Sequence, residues 1–179
     1  MNILITGKPR CGKTTLIKEL IGLLDHTCGF YTEEIREKGK RVGFLLRTMN
    51  DKETMFAHID FKSPFRVSKY GVDVVGFEKI AMSELKKGIE RGSIIVIDEI
   101  GKMELFSRSF KEAVLSSLST GRVLGTISFK GDDFIQKVKE RKDIKLYLLT
   151  PDRYEEIKEE IIHFLPGPKV HQSSDEDGW

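Results

Sequence analysis

The chain has 179 residues, 39% hydrophobic and 32% charged, enough to bury one sizeable core but short for two. Thirty Lys and Arg against 28 Asp and Glu leave a formal charge of +2, which argues against bulk attraction to nucleic acid or anionic lipid. No stretch approaches the roughly 20 apolar residues of a membrane helix, and Cys11 and Cys28 make neither a disulfide framework nor a zinc pattern, so a cytoplasmic protein in a reducing setting, away from membranes, is expected.

In chain order, residues 3–6 read as a short buried strand that runs into a glycine-rich turn at 7–12. Leu16, Ile17, Leu20, Ile21 and Leu24 follow at helical spacing. Gly29-Phe30-Tyr31-Thr32 is a strand pattern, and a tight turn at Lys38-Gly39-Lys40 leads into a second strand at Val42-Gly43-Phe44-Leu45-Leu46. The apolar run at 54–61 adds a third, so a β-hairpin excursion is expected after the first helix. Residues 64–76 carry turn residues without a period and are expected as loop. Phe77, Ile80, Ala81, Leu85 and Ile89 predict an amphipathic helix ending at Gly92.

Ile94-Ile95-Val96-Ile97 is β-branched throughout, which suits a central parallel strand buried on both faces. A helix over 104–118 is expected next (Leu105, Phe106, Phe110, Ala113, Val114), then a strand at 123–127 and a short helix through Phe134, Ile135 and Val138. A strand at 144–149 and a last helix carrying Tyr154, Ile157, Ile161, Ile162 and Leu165 complete the pattern. Strands alternating with helices predict an α/β three-layer sandwich around a mainly parallel sheet. Residues 1–165 form the expected domain. Residues 166–179, polar and proline-broken, are expected as a flexible tail.

The chemistry is concentrated in two places. Gly7-Lys8-Pro9-Arg10-Cys11-Gly12-Lys13-Thr14 fits G-x-x-x-x-G-K-[ST], a pattern that random composition would yield in a chain of this length about 0.7% of the time. It lies after a strand and at the start of a helix, where such a loop must lie to cradle phosphates with backbone N–H groups at a positive helix end. Lys13 would reach the β- and γ-phosphates, Thr14 would hold Mg²⁺, and Thr15 continues the nucleotide-binding set.

The second place is Asp98-Glu99, at the end of the most hydrophobic strand. Two carboxylates there are costly unless positive charge waits beside them, and Mg²⁺ near Lys13 supplies it. Asp98 would organise the metal. Glu99, on the opposite face of the strand, would orient and polarise a water. Ile100 and Gly101 complete the set. Lys102 is a candidate internal cation for the transition state, in competition with Arg36, Arg141 and Arg153, and a salt bridge is its alternative. A hydroxyl of Thr126 or Ser128 could sense the γ-phosphate or simply end its strand. Cys11, near a helix N-terminus, is either a redox-sensitive thiol or a small loop filler. His26, His58, His163 and His171 lie at no ligand spacing.

With these motifs in view, the sequence resembles the thermophilic and cancer-related nucleoside-triphosphatases. The resemblance is carried by the loop at 7–14, by Gly29-Phe30-Tyr31-Thr32-Glu33-Glu34-Ile35-Arg36, by Lys69-Tyr70-Gly71-Val72 and above all by Asp98-Glu99-Ile100-Gly101-Lys102-Met103-Glu104-Leu105, and it spans about residues 1–165. It implies a compact P-loop NTPase fold related to the RecA-like ATPases. It also implies magnesium-dependent hydrolysis of ATP, GTP, CTP, UTP and similar triphosphates with little base selectivity. Where members often carry proline after the strand-end Thr-Ile, this chain has Ser128. A nucleotide or nucleoside kinase using the same loop is the alternative enzyme. A nucleotide-dependent switch, for which Asp98-Glu99-Ile100-Gly101 fits D-x-x-G, is the alternative of another class. An RNA-associated factor finds little support in the charge balance, and no protein partner is named by the sequence.

Overall fold

The structure, a computed structural model, describes residues 1–167. The expected tail lies, from residue 168 on, outside the described residues. The elements are β1 (Asn2–Thr6), α1 (Lys13–Ile21), β2 (Thr27–Glu37), β3 (Lys40–Thr48), β4 (Glu53–His58), β5 (Arg66–Val67), β6 (Tyr70–Val72) and α2 (Val74–Arg91). Then come β7 (Ile94–Ile100), a 3-10 turn (Glu104–Phe106), α3 (Arg108–Ser119), β8 (Val123–Ile127), α4 (Asp133–Lys139), β9 (Ile144–Leu148), a second 3-10 turn (Pro151–Arg153) and α5 (Tyr154–Phe164).

Among the described residues the strands share one nine-stranded mixed sheet in the order β5-β6-β4-β3-β2-β7-β8-β1-β9. The run β2-β7-β8-β1-β9 is parallel. The excursion after α1 extends that same sheet in antiparallel fashion. Its first hairpin turns at Lys38 and Gly39 with φ of 47° and 77°, the two left-handed positions that a tight two-residue hairpin turn requires.

The helices make two cores, one on each face. Leu16, Ile17 and Leu20 of α1 and Ile157 and Ile161 of α5 pack with Ile5 and Val96 on one side. Residues of α2, α3 and α4 pack with Leu4, Ile95 and Ile97 on the other. Alternate residues of β7 thus serve opposite cores, as expected for a central parallel strand. Phe30 meets Phe77 edge-on at 5.6 Å, and Phe77 meets Phe110 at 5.0 Å. All three rings are fully buried, each contributing about 1.5–3 kcal/mol by burial, and they fix β2 to α2 and α3 just below the residues that reach the site.

Two expectations change. The helix expected over 104–118 is broken at Ser107, whose hydroxyl accepts the Phe110 N–H at 3.0 Å and donates to Glu78 at 2.5 Å. Apolar spacing runs through the break, so only the N-cap reveals it. The loop expected at 64–76 holds β5, β6 and the start of α2, with Ser68 at φ 54° between the strands. Strands of two and three residues are too short to show alternation.

Candidate functional site

Parallel strands that start together also end together, and their C-terminal ends gather the chemistry at one edge of the sheet. The loop leaving β1 enters α1 there. A Cβ on Gly7 would lie 2.6 Å from both the Leu149 carbonyl oxygen and Cys11 Sγ, so only glycine lets the loop start this close to β9. Gly12 takes φ 100° and caps α1 without a side chain, and the first turn carries no acid. The N–H groups of that turn are left for an anion. Lys13 Nζ donates to the carbonyls of Gly7 at 3.0 Å and Lys8 at 3.4 Å. Lys8, Pro9, Arg10 and Thr15 are exposed, and Cys11 is half-buried.

β8 lies between β1 and β7, and its end residues fill the gap between the loop and the acids. Asp98 is 1% exposed. Its Oδ2 accepts the Thr14 hydroxyl at 2.8 Å and its Oδ1 the Thr126 hydroxyl at 2.5 Å, while the Thr32 backbone N–H lies near enough to favour its charged form. Glu99 Oε1 accepts the Ser128 hydroxyl at 3.2 Å. The two hydroxyls weighed as phosphate sensors are each paired with a carboxylate.

Strict alternation fails at the two acids. Ile97 pairs with Gly125 and Ile100 with Ile127, so Asp98 and Glu99 together stand opposite Thr126 in a bulge. The Asp98–Glu99 peptide bond is cis. Ile100 returns to the core, fully buried, and its carbonyl accepts the Ser128 N–H at 3.1 Å. Gly101 is buried, and a Cβ on it would lie 2.6 Å from Glu99 Oε1.

The electrostatics are those of acids short of positive charge. Burial pushes the Asp98 carboxyl above the ordinary carboxylate range, against the hydrogen bonds from Thr126 and Thr14, the Thr32 N–H and the charge of Lys13. Burial, then the negative charge of Asp98, raises Glu99, with Lys13 and Ser128 acting the other way. A divalent cation between Thr14 and Asp98 would relieve both. Among the described residues no group of three or more His, Cys, Asp or Glu could hold a metal alone. The donor set here is one carboxylate and one hydroxyl, both oxygen donors, which fits Mg²⁺.

The competing cations sort by position. Lys102 is exposed in the turn after β7, on the site's side of the sheet. Arg36 is held near the hairpin tip by Glu34 at 2.6 Å and the Gly39 carbonyl at 3.1 Å. Arg141 pairs with Asp143 at 2.7 Å, beside the N-terminal start of β1, where the Asp143 carbonyl accepts the Asn2 N–H at 3.1 Å; this is the far end of the strands from the loop. Arg153 pairs with Glu156 at 2.8 Å before α5.

Three contributors escape sequence reasoning. The Thr32 backbone N–H reaches Asp98, a group no side-chain pattern encodes. Tyr154 lays its ring against Gly12, where an added Cβ would lie 3.2 Å from it, and burial followed by Glu19 pushes its hydroxyl up to about 12. Glu104, 5% exposed, lies beside Glu99; its place inside the octet that starts at Asp98 was the available signal.

Among the described residues no helix is long and apolar enough to cross a membrane. A protein-family profile described as NTPase matches residues 2–162. The chain is 43% identical over 166 residues to the nucleoside-triphosphatase THEP1 of Thermotoga sp. (strain RQ2), covering 92% of this chain and 95% of the relative. It is 37% identical over 183 residues to the cancer-related nucleoside-triphosphatase of Homo sapiens, covering 92% and 93%. The crystal structure of THEP1 from Aquifex aeolicus superposes with a TM-score of 0.85 at 35% identity, over 92% of this chain and 99% of that one.

Proposed function

The chain belongs to the NTPase family that includes THEP1 and the cancer-related nucleoside-triphosphatases, and from that premise we propose that it is a magnesium-dependent hydrolase of nucleoside 5'-triphosphates with little base selectivity. One observation carries the reading: Thr14, at the start of α1, and Asp98, at the end of β7, share a 2.8 Å hydrogen bond although they are 84 positions apart. The phosphate loop and the acids are one site.

The chain's own groups divide the work. The first-turn N–H groups of α1 receive the phosphates, and Lys13 exchanges the Gly7 and Lys8 carbonyls for phosphate oxygens. Asp98 and Thr14 would hold Mg²⁺, which on binding neutralises charge on the phosphate oxygens. Glu99, restrained by Ser128, orients a water toward the γ-phosphorus and takes its proton. The new P–O bond forms as the bond to the β-phosphate oxygen breaks, and diphosphate leaves with that electron pair. A carboxyl raised by burial is a stronger base than one in water, which suits that task. The substrate-holding groups address phosphates and metal, common to every nucleoside triphosphate, and this supports low base selectivity.

The test is phosphate release from ATP, GTP, CTP, UTP and the matching diphosphates, with Mg²⁺ and with chelator. Comparable release from the four triphosphates, lost with chelator, is expected. Release only when a nucleoside acceptor is added would overturn the reading in favour of a kinase.

A further inference from the structure

Glu104 is an acid for which this scheme has no use. It opens the 3-10 turn Glu104–Phe106 and is buried. The backbone N–H groups of Gly101 and of Glu104 itself lie near its carboxylate and favour the charged form. The charges that act on it are those of Glu99 and Asp98, both negative. Burial first, then Glu99, holds its carboxyl well above the ordinary carboxylate range.

The geometry gives this acid a target. Glu99 Oε1 and Glu104 Oε2 converge on Gly101, where a Cβ would lie 2.6 and 3.0 Å from them. The space that glycine leaves empty is taken by both side chains. Glu99's other restraint is the 3.2 Å hydrogen bond from Ser128, too long to hold a carboxylate rigidly by itself. Without a polar group at position 104 to face it, the Glu99 carboxylate is free to turn out of line with the γ-phosphate.

We propose that Glu104 is a positioning residue for hydrolysis, a carboxyl that, anchored to the Gly101 turn, confines Glu99 between itself and Ser128. The inference rests on Glu99 being the residue that holds the attacking water. Glu104 acts through Glu99 and lies outside the loop at 7–14 and the Thr14–Asp98 pair, so its effect falls on the chemical step and leaves nucleotide binding alone.

The experiment compares wild type, Glu99→Gln, Glu104→Met and Glu104→Gln as full chains. It measures steady-state phosphate release from ATP with Mg²⁺ and equilibrium binding of a non-hydrolysable ATP analogue. Met matches the length of Glu without an acceptor, so Glu104→Met should lower kcat at least tenfold with KM and analogue affinity within twofold of wild type. Glu104→Gln, which can accept from Gly101 and donate to Glu99, should restore kcat to within threefold. A smaller loss in Glu104→Met, a parallel loss of analogue affinity, or a Glu104→Gln rate below one third of wild type overturns the proposal. If Glu104→Met does not fold, the same threefold criterion on Glu104→Gln decides alone. A Glu99→Gln enzyme at the wild-type rate would sink the Glu99 assignment itself, whereas an inert Glu99→Gln beside a fully active Glu104→Met would remove only the role of Glu104.

Discussion

The Thr126 hydroxyl donates to Asp98 Oδ1 at 2.5 Å while the Thr14 hydroxyl donates to Oδ2 at 2.8 Å, so the buried carboxylate is gripped from β8 on one side and from α1 on the other. Charge-assisted bonds of this kind are roughly twice as strong as neutral ones, and they offset part of the cost of burying Asp98. Replacing Thr126, which is fully buried, by the isosteric Val removes the hydroxyl that Oδ1 accepts from. Thr126→Val is expected to cost about 1–3 kcal/mol of stability and to raise the Mg²⁺ concentration needed for half-maximal activity. Urea unfolding and a Mg²⁺ titration measure the two effects, and an unchanged metal requirement would separate Thr126 from the metal site.

The charge of Lys13 acts on both Asp98 and Glu99. Lys13→Ala should reduce triphosphate affinity or turnover by on the order of 100-fold or more, read by titration with a fluorescent nucleotide and by phosphate release. Wild-type rates in this variant would discard the phosphate-loop assignment.

Glu99→Gln keeps the shape of the side chain and its acceptor for Ser128 but cannot take a proton. Affinity for the Mg²⁺–ATP complex should persist while hydrolysis slows by on the order of 100-fold. A loss of binding would instead make Glu99 a metal or structural ligand.

Gly101→Ala places a methyl group where the ends of the Glu99 and Glu104 side chains meet, 2.6 and 3.0 Å away. Both atoms belong to flexible side chains, so the fold can yield and the thermal midpoint should change little. Glu99 is displaced in yielding, and kcat should fall by about tenfold or more. A variant that unfolds without losing kcat in its folded fraction would contradict this.

Acid conditions should favour the nucleotide-free fold. Asp98, Glu99 and Glu104 all hold their protons above the ordinary carboxylate range, whereas the unfolded chain releases them near pH 4. Above that pH the folded state binds more protons, so these groups lose stability as pH rises, until they too have titrated. Glu33, pulled down chiefly by Lys18, gives up its stabilisation only on the acid side, outside this window. The thermal midpoint of the nucleotide-free protein should therefore fall as pH rises from about 4, and less steeply in Glu104→Gln. An identical slope in that variant would show that Glu104 titrates normally.

Local pattern determined much of this protein. The strand, glycine-rich loop and helix at its start, the alternation of its second half and the acids ending its most apolar strand are legible because each is written in adjacent residues, through spacing, period and turn chemistry. What only the tertiary structure decided is which groups meet. Strand order inserts β8 between the loop strand and the acid strand, and that alone sets Thr126 on Asp98 and Ser128 on Glu99. A bulge suspends the alternation that would have sent Asp98 and Glu99 to opposite faces. The Ser107 cap breaks a helix whose apolar period is uninterrupted, which leaves Glu104 in a turn packed beside Glu99. Contacts of this kind depend on register and burial between segments far apart in the chain, and no local periodicity carries that information.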